Sequence, residues 1–247
     1  MSQLPPSVIP AKAGVPSDRI DSARVDEFSE LGVLAFTTTR AAGTFGLAGT
    51  DPVGEVMGRW SALLTGIGAR GICVAPQVHG DTVLPHVTPW DGFLRTSPAD
   101  GHATQERGLA LAVTIADCAP VFLAHPSGAI AIVHSGWRGT EARIVHQAIR
   151  VLGRAGLAPD EINVHIGPAI CGRCYEVSAE VRARLTGEAS NRPGNVDIRS
   201  LIAEQASSAG VTRISVSPAC TRCDNSTFFS HRAGDTGRQI AVIVAKQ

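Results

Sequence analysis

Residues 109–140 read LALAVTIADCAPVFLAHPSGAIAIVHSGWRGT, and the fold turns on how the apolar runs within them are interpreted. Three runs, at residues 109–115, 121–124 and 129–134, follow in quick succession, each bounded by turn-forming residues. Runs this short suit strands buried on both faces better than helices. Directly downstream the period changes. Ile144, Val145, Ala148, Ile149 and Leu152 recur on one face of a helix, and Gly153 and Gly156 end it. Working outward, residues 31–39 (LGVLAFTTT) read as a strand, and residues 53–65 as a helix weakened by its glycines. Residues 162–166, 213–217 and 240–244 read as further strands, and 177–185 and 198–209 as helices. Strands outnumber helices and hairpin-like neighbours are frequent, which predicts an α+β fold rather than a doubly wound sheet.

The chain has 247 residues, 44% of them hydrophobic and 18% charged, enough for a substantial core. No linker or repeat divides it. Residues 1–26, rich in proline and small polar side chains, are expected to form a loosely ordered arm, and residues 27–247 a single catalytic domain. Lys+Arg and Asp+Glu both number 22, so the net charge of zero gives no electrostatic reason to expect nucleic acid or an anionic membrane as partner. No apolar run approaches the ~20 residues of a membrane span. The first residues lack the pattern of an export signal, so a cytoplasmic location is expected. In a reducing compartment, six cysteines are better read as thiols, metal ligands or catalytic groups than as disulfides.

Three segments carry metal-capable side chains near predicted strand ends: PQVHGDTV (76–83), IADCAPVFL (115–123) and AIVHSGWRGT (131–140). They present His79, Cys118 and His134. Two imidazoles and a thiolate suit a borderline-soft ion such as zinc, and three protein ligands leave the open fourth position of a catalytic site. Water there can have its pKa lowered to roughly 7. The spacings of 39 and 16 residues match no compact local metal motif, so ordinary core or surface roles stand beside this reading.

The segments resemble the signatures of the laccase-domain family, also called multicopper polyphenol oxidase-like or YfiH-like proteins. The matching stretches are Gln77-Val78-His79-Gly80, Ala116-Asp117-Cys118-Ala119-Pro120 and His134-Ser135-Gly136-Trp137-Arg138-Gly139. The likeness continues through Ile166-Gly167-Pro168-Ala169-Ile170, Cys174-Tyr175-Glu176-Val177, Cys220-Thr221, Phe228-Phe229-Ser230 and Thr236-Gly237-Arg238. It implies His79, Cys118 and His134 as metal ligands and an α+β fold with mixed sheets between helical layers. It also implies zinc-dependent phosphorolysis of adenosine, inosine, guanosine and methylthioadenosine, with adenosine deamination beside it. Nucleoside and phosphate would be the small-molecule partners.

Roles for the neighbours follow from their chemistry. Residues 135–140 join a strand to a helix, so backbone N–H groups and Arg138 form a candidate phosphate cradle. Asp117 is a candidate general acid–base or ribose contact, and equally a group that orients a ligand histidine. Arg40 is a further candidate anion contact or a surface ion pair. Gln77 either reads a purine or ribose edge or makes a turn hydrogen bond.

The chain departs from the family pattern in three ways. Phe45-Gly46-Leu47-Ala48-Gly49-Thr50-Asp51 and Gly58-Arg59 lack asparagines usual there, and His231 stands where a tyrosine usually follows Phe-Phe-Ser. Cys171-x-x-Cys174 and Cys220-x-x-Cys223 read either as a four-thiolate zinc site or as reduced buried thiols. Other functions also compete. Copper-dependent polyphenol oxidation needs more histidines, largely in His-x-His pairs, than the eight here, none of which are separated by one residue. Mononuclear Cu²⁺ nonetheless binds most N/S sites tightly. Editing of peptidoglycan precursors by amide hydrolysis would use the same open metal, and a metal-stabilised interaction module with no activity is the remaining alternative.

Overall fold

The structure, a computed structural model, describes residues 20–189 and 191–247. The first elements are β1 (Ser22–Arg24), β2 (Val33–Thr38), α1 (Val53–Gly66), β3 (Gly71–Val74), β4 (Val83–His86), β5 (Gly92–Arg95) and β6 (Gly101–Thr104). Next come β7 (Leu109–Ile115), β8 (Ala119–Ala124), β9 (Ile130–Ser135), α2 (Trp137–Glu141) and α3 (Ile144–Arg154). The chain closes with β10 (Asn163–Ile166), β11 (Glu176–Val177), α4 (Ala179–Thr186), β12 (Gly194–Asn195), α5 (Ile198–Ser208), β13 (Arg213–Val216) and β14 (Gln239–Ala245).

Two six-stranded mixed sheets result, ordered β1-β2-β14-β7-β3-β5 and β13-β10-β8-β9-β6-β4, with β11 and β12 forming a small separate pair. Alternation along each strand shows how they stack. In β14, Ala241, Ile243 and Ala245 enter one apolar cluster with Leu111 and Val113 of β7 and with Phe122 and Ile132 of the second sheet. Ile240, Val242 and Val244, on the opposite face, pack with Val56, Trp60 and Leu63 of α1. In the second sheet, Val121, Leu123, Ala131 and Val133 face Ile144, Ile149, Leu152 and Ile202 of α3 and α5. The order is therefore helix, sheet, sheet, helices, and the central strands of both sheets are buried on both faces. That is why β7, β8 and β9 read as continuous apolar runs. The α+β class and the helical layers agree with the sequence reading.

Boundaries shifted where local chemistry intervened. Ser178 accepts a hydrogen bond from the Val181 N–H as an N-cap, so α4 starts at Ala179 and Val177 is left in β11. Residues 1–19 of the expected arm lie outside the described residues. Within its remainder, Ser22–Arg24 pairs antiparallel with β2. Among the described residues no helix is long and apolar enough to cross a membrane.

Candidate metal centre

The triad lies where the chain passes between the two sheets. His79 sits in the connection from β3, in the first sheet, to β4, in the second. Cys118 ends the Ala116–Cys118 turn that links β7 to β8 across the same gap. His134 is near the end of β9, paired in register with Pro120. The three donor atoms lie within 4.8 Å of one another, and the imidazole rings of His79 and His134 stand edge to face with centroids 4.9 Å apart.

Backbone geometry is bent to achieve this. Among the described residues, three other than glycine have left-handed φ, and two belong here: His79 at 60° and Asp117 at 83°. Such conformations cost roughly 1–3 kcal/mol each and persist only where the surroundings impose them. Gly136 makes the room: a Cβ at that position would stand 2.8 Å from the Cys118 sulfur and 3.4 Å from Cδ2 of His79.

The residue that fixes the arrangement is Asp100, fully buried just before β6. Its Oδ1 accepts from the His79 N–H (3.0 Å) and its Oδ2 from the N–H groups of Val78 (3.1 Å) and Gly80 (2.7 Å). The same Oδ1 lies 2.8 Å from His134 Nδ1. An ionised carboxylate only accepts, so Nδ1 carries the proton and Nε2 is the nitrogen left for a metal. Burial pushes the Asp100 carboxyl up, but His134 and the backbone donors outweigh it and hold the group ionised below its ordinary range. Burial likewise opposes charge on Cys118 and His134. Their mutual attraction prevails, lowering the thiol and raising the imidazole, so the pair is poised as thiolate and imidazolium. A metal would displace that proton and take over the imidazolium's role.

All three donors line a cavity of about 510 Å³, a volume suited to a small organic substrate. Its wall includes Gly46–Gly49 from the segment that lacks the expected asparagines, together with Arg95, Thr114, His231, Thr236 and Arg238. Arg59, which stands where an Asn-Arg pair is usual, braces that segment by donating to the Thr44 carbonyl (3.0 Å) and pairing with Asp51 (3.3 Å). The donor set, the open cavity and the oriented histidine fit a catalytic metal with three protein ligands.

The other predicted site residues are placed as follows. Gln77 lines the cavity, but its amide pairs with Thr114, donating to the backbone carbonyl and accepting from both N–H and hydroxyl, each at 2.8 Å. It thus acts as a backbone clamp. Asp117 accepts from the Thr221 hydroxyl (2.7 Å) and the Arg232 N–H (2.6 Å), which ties the Cys118 turn to the 220s and 230s segments. The histidine-orienting role falls to Asp100. Arg40 pairs with Asp235 at 2.6 Å over the Phe229 ring, away from the cavity lining. Arg138 is exposed and stacks 4.3 Å over Trp137, also outside that lining.

Sequence reasoning missed Asp100. A ligand histidine calls for a carboxylate partner, but His134 lies 34 positions away in the chain. Two further groups of metal-capable donors exist among the described residues. Cys73, His86 and His102 form one inside the core, where burial pushes the Cys73 thiol up to about 12 and His102 down to about 3, keeping both neutral. Cys171, Cys174, Cys220 and Cys223 form the other.

Comparison with known proteins completes the picture. Residues 38–246 match the family model described as multi-copper polyphenol oxidoreductase laccase. Purine nucleoside phosphorylase ORF3 of Streptomyces griseus is 36% identical over 202 residues, covering 78% of this chain and 82% of the relative. Purine nucleoside phosphorylase Rv2149c of Mycobacterium tuberculosis is 38% identical over 228 residues, covering 84% and 90%. Among solved structures, the hypothetical protein YfiH of Bacillus licheniformis superposes with a TM-score of 0.82 at 25% identity, covering 93% of this chain and 98% of that one. YlmD of Geobacillus stearothermophilus gives 0.78 at 29% identity, covering 87% and 93%.

Proposed function

The chain belongs to the multi-copper polyphenol oxidoreductase laccase family, and from that premise and its site geometry we propose that it is a zinc-dependent purine nucleoside phosphorylase that also deaminates adenosine. The supporting observation is the convergence of His79, Cys118 and His134 on the wall of an open cavity, where a metal they held would be within reach of substrate. The names of the relatives add the substrate class. By the family resemblance, adenosine, inosine, guanosine and methylthioadenosine are the candidate nucleosides.

When bound, zinc supplies Lewis acidity toward a substrate oxygen or nitrogen. The chain's own residues do the rest. Gly46, Ala48 and Gly49 add little side-chain bulk to the wall and leave room for a flat base beside Leu47, and His231 on the rim offers a ring to stack on it. Arg95 and Arg238 line the cavity and are assigned to the phosphate, whose oxygen attacks C1′ of the ribose as the bond to the purine nitrogen breaks and the departing base takes up the proton that the phosphate gives up. Arg138 lies in the electrostatic neighbourhood of Tyr175, as do Asp117 and Cys118, and is assigned to charge support from outside the cavity. Asp117 is assigned to positioning Cys118, and Asp100 to holding His79 and His134. In deamination, water takes the place of phosphate and attacks C6 of the base, and ammonia leaves.

Product analysis tests this reading. Adenosine incubated with zinc-quantified protein is expected to give adenine and ribose-1-phosphate with phosphate present, and inosine without it. Replacing Cys118 with Ala should remove the triad's metal and turnover together while the fold persists. Turnover by Cys118→Ala protein whose triad has lost its metal, or none by zinc-loaded wild type, would overturn the proposal. In the second case, amide substrates of the peptidoglycan-precursor type become the next to assay.

A further inference from the structure

We infer that Cys171, Cys174, Cys220 and Cys223 form a second metal site, a four-thiolate zinc centre distinct from the triad and structural in role. Their four sulfurs lie within 4.8 Å of one another, and those of Cys174 and Cys223 are 3.5 Å apart. A tetrahedron built on Zn–S bonds of about 2.3 Å has edges of about 3.8 Å, so the sulfurs already stand near its corners. All six cysteines are free, and the Cys174–Cys223 separation is far outside the ~2.05 Å of a disulfide.

Backbone donors from both turns meet at one sulfur: Cys220 Sγ accepts from the N–H groups of Cys171 (3.2 Å) and Cys223 (3.4 Å), which fixes its place among the four. The two Cys-x-x-Cys turns are also built alike. Tyr175 N donates to the Cys171 carbonyl (3.0 Å) and Asp224 N to that of Cys220 (2.8 Å), so each turn brings its pair of sulfurs to one side. A bridge between Ala169 and Cys220 brings the turns together.

The structural role follows from what surrounds the sulfurs. The loop after β10 and the loop after β13 meet here over a small cluster whose buried members are Ile170, Cys171 and Cys220, too few to bind two loops by burial alone. Four sulfur ligands fill the tetrahedron and leave no open position for substrate. The cross-link does reach the triad indirectly: Thr221, next to Cys220, donates to Asp117, the neighbour of Cys118.

The test is metal content of full-length protein purified with reductant and without oxygen, then supplied with zinc. Wild type is expected to hold two zinc ions per chain, and Cys118→Ala one. X-ray absorption on the Cys118→Ala protein should show four sulfur neighbours at about 2.3 Å. Cys174→Ser/Cys223→Ser should lose one ion per chain, keep the triad's, and unfold at lower temperature. If that variant does not fold, the Cys118→Ala measurements decide alone. Zinc-free Cys118→Ala protein, a nitrogen- or oxygen-containing shell on its zinc, or a Cys174–Cys223 disulfide in the anaerobic protein would overturn the inference.

Discussion

Replacing Asp100 with Asn keeps the volume and removes one acceptor from a fully buried hub. Two donors converge on each carboxylate oxygen: the His134 Nδ1–H and His79 N–H on Oδ1, and the Val78 and Gly80 N–H groups on Oδ2. Whichever way the new amide turns, its NH₂ meets two of them. With each unpaired buried donor costing about 1–3 kcal/mol, the loss of stability is expected at about 2–6 kcal/mol. If the NH₂ takes the Oδ1 place, His134 can relieve the clash by moving its proton to Nε2, the nitrogen a metal needs. If it takes the Oδ2 place, the loop that holds His79 in left-handed conformation is released. Either route weakens metal binding, by about 10–100-fold on the usual scale for such supporting groups. Chemical unfolding of metal-free protein measures the first quantity, and competition with a chromophoric chelator the second. Asp100→Asn protein with wild-type stability and wild-type metal affinity would refute the assignment of Asp100 as the organiser of the site.

Gly136→Ala places a Cβ 2.8 Å from the Cys118 sulfur, so metal affinity should fall about tenfold or more while circular dichroism stays native; unchanged affinity would show that the sulfur has room to move. Arg238→Ala should raise KM for phosphate well above any effect of Arg138→Ala, and the reverse order in steady-state kinetics would return the anion to Arg138. Burial pushes Asp235 up, but hydrogen bonds from Arg40, the Ser230 N–H and Asn225 hold it down at about 2, against an ordinary value of 3.8. Its contribution is therefore fully present above the unfolded value and is lost as pH falls through about 2, at ~1 kcal/mol once solvent screening of this partly exposed pair is allowed for. Unfolding at graded acid pH should show that slope, and Arg40→Ala should flatten it; an equal slope in the variant would count against the pair. Phenol oxidation is expected only after copper loading, and zinc-loaded protein matching the copper-loaded rate would contradict that.

What could be read in the sequence depended on how locally each feature is determined. β7, β8 and β9 were legible because both of their faces are buried, so nearly every position is apolar, the exceptions Thr114, His134 and Ser135 lying at the strand ends that approach the site. β3, β4, β5 and β6 have four residues each and hold Gly71, Pro85, Gly92 and Gly101, so neither period nor composition marks them. Two of these strands nevertheless carry the loop of His79. The triad was legible through its motifs, while the supports around it were not. Asp100 acquires its function only when residues 78–80 and His134 fold onto it. Gln77 stood open between a purine or ribose contact and a turn hydrogen bond because its partner, Thr114, is 37 positions on. Arg40 stood open between an anion contact and an ion pair for the same reason, its carboxylate being Asp235 near the other end of the chain.

The family's copper name and the zinc reading meet in one donor set, because two histidines and a cysteine are also the strong ligands of blue-copper centres. Such a centre needs a weak axial group, usually a Met, or a Gln or backbone oxygen. Met57 is the one methionine among the described residues, and it sits in α1 packed on the outer face of the first sheet. The Gln77 amide is committed to Thr114. What the triad does have beside it is a cavity of about 510 Å³ with two arginines on its wall. An electron-transfer metal gains from enclosure, whereas a metal that must touch substrate needs an open side. The arrangement here gives the open side, so copper held there by its greater intrinsic affinity would lack surroundings built for its redox chemistry.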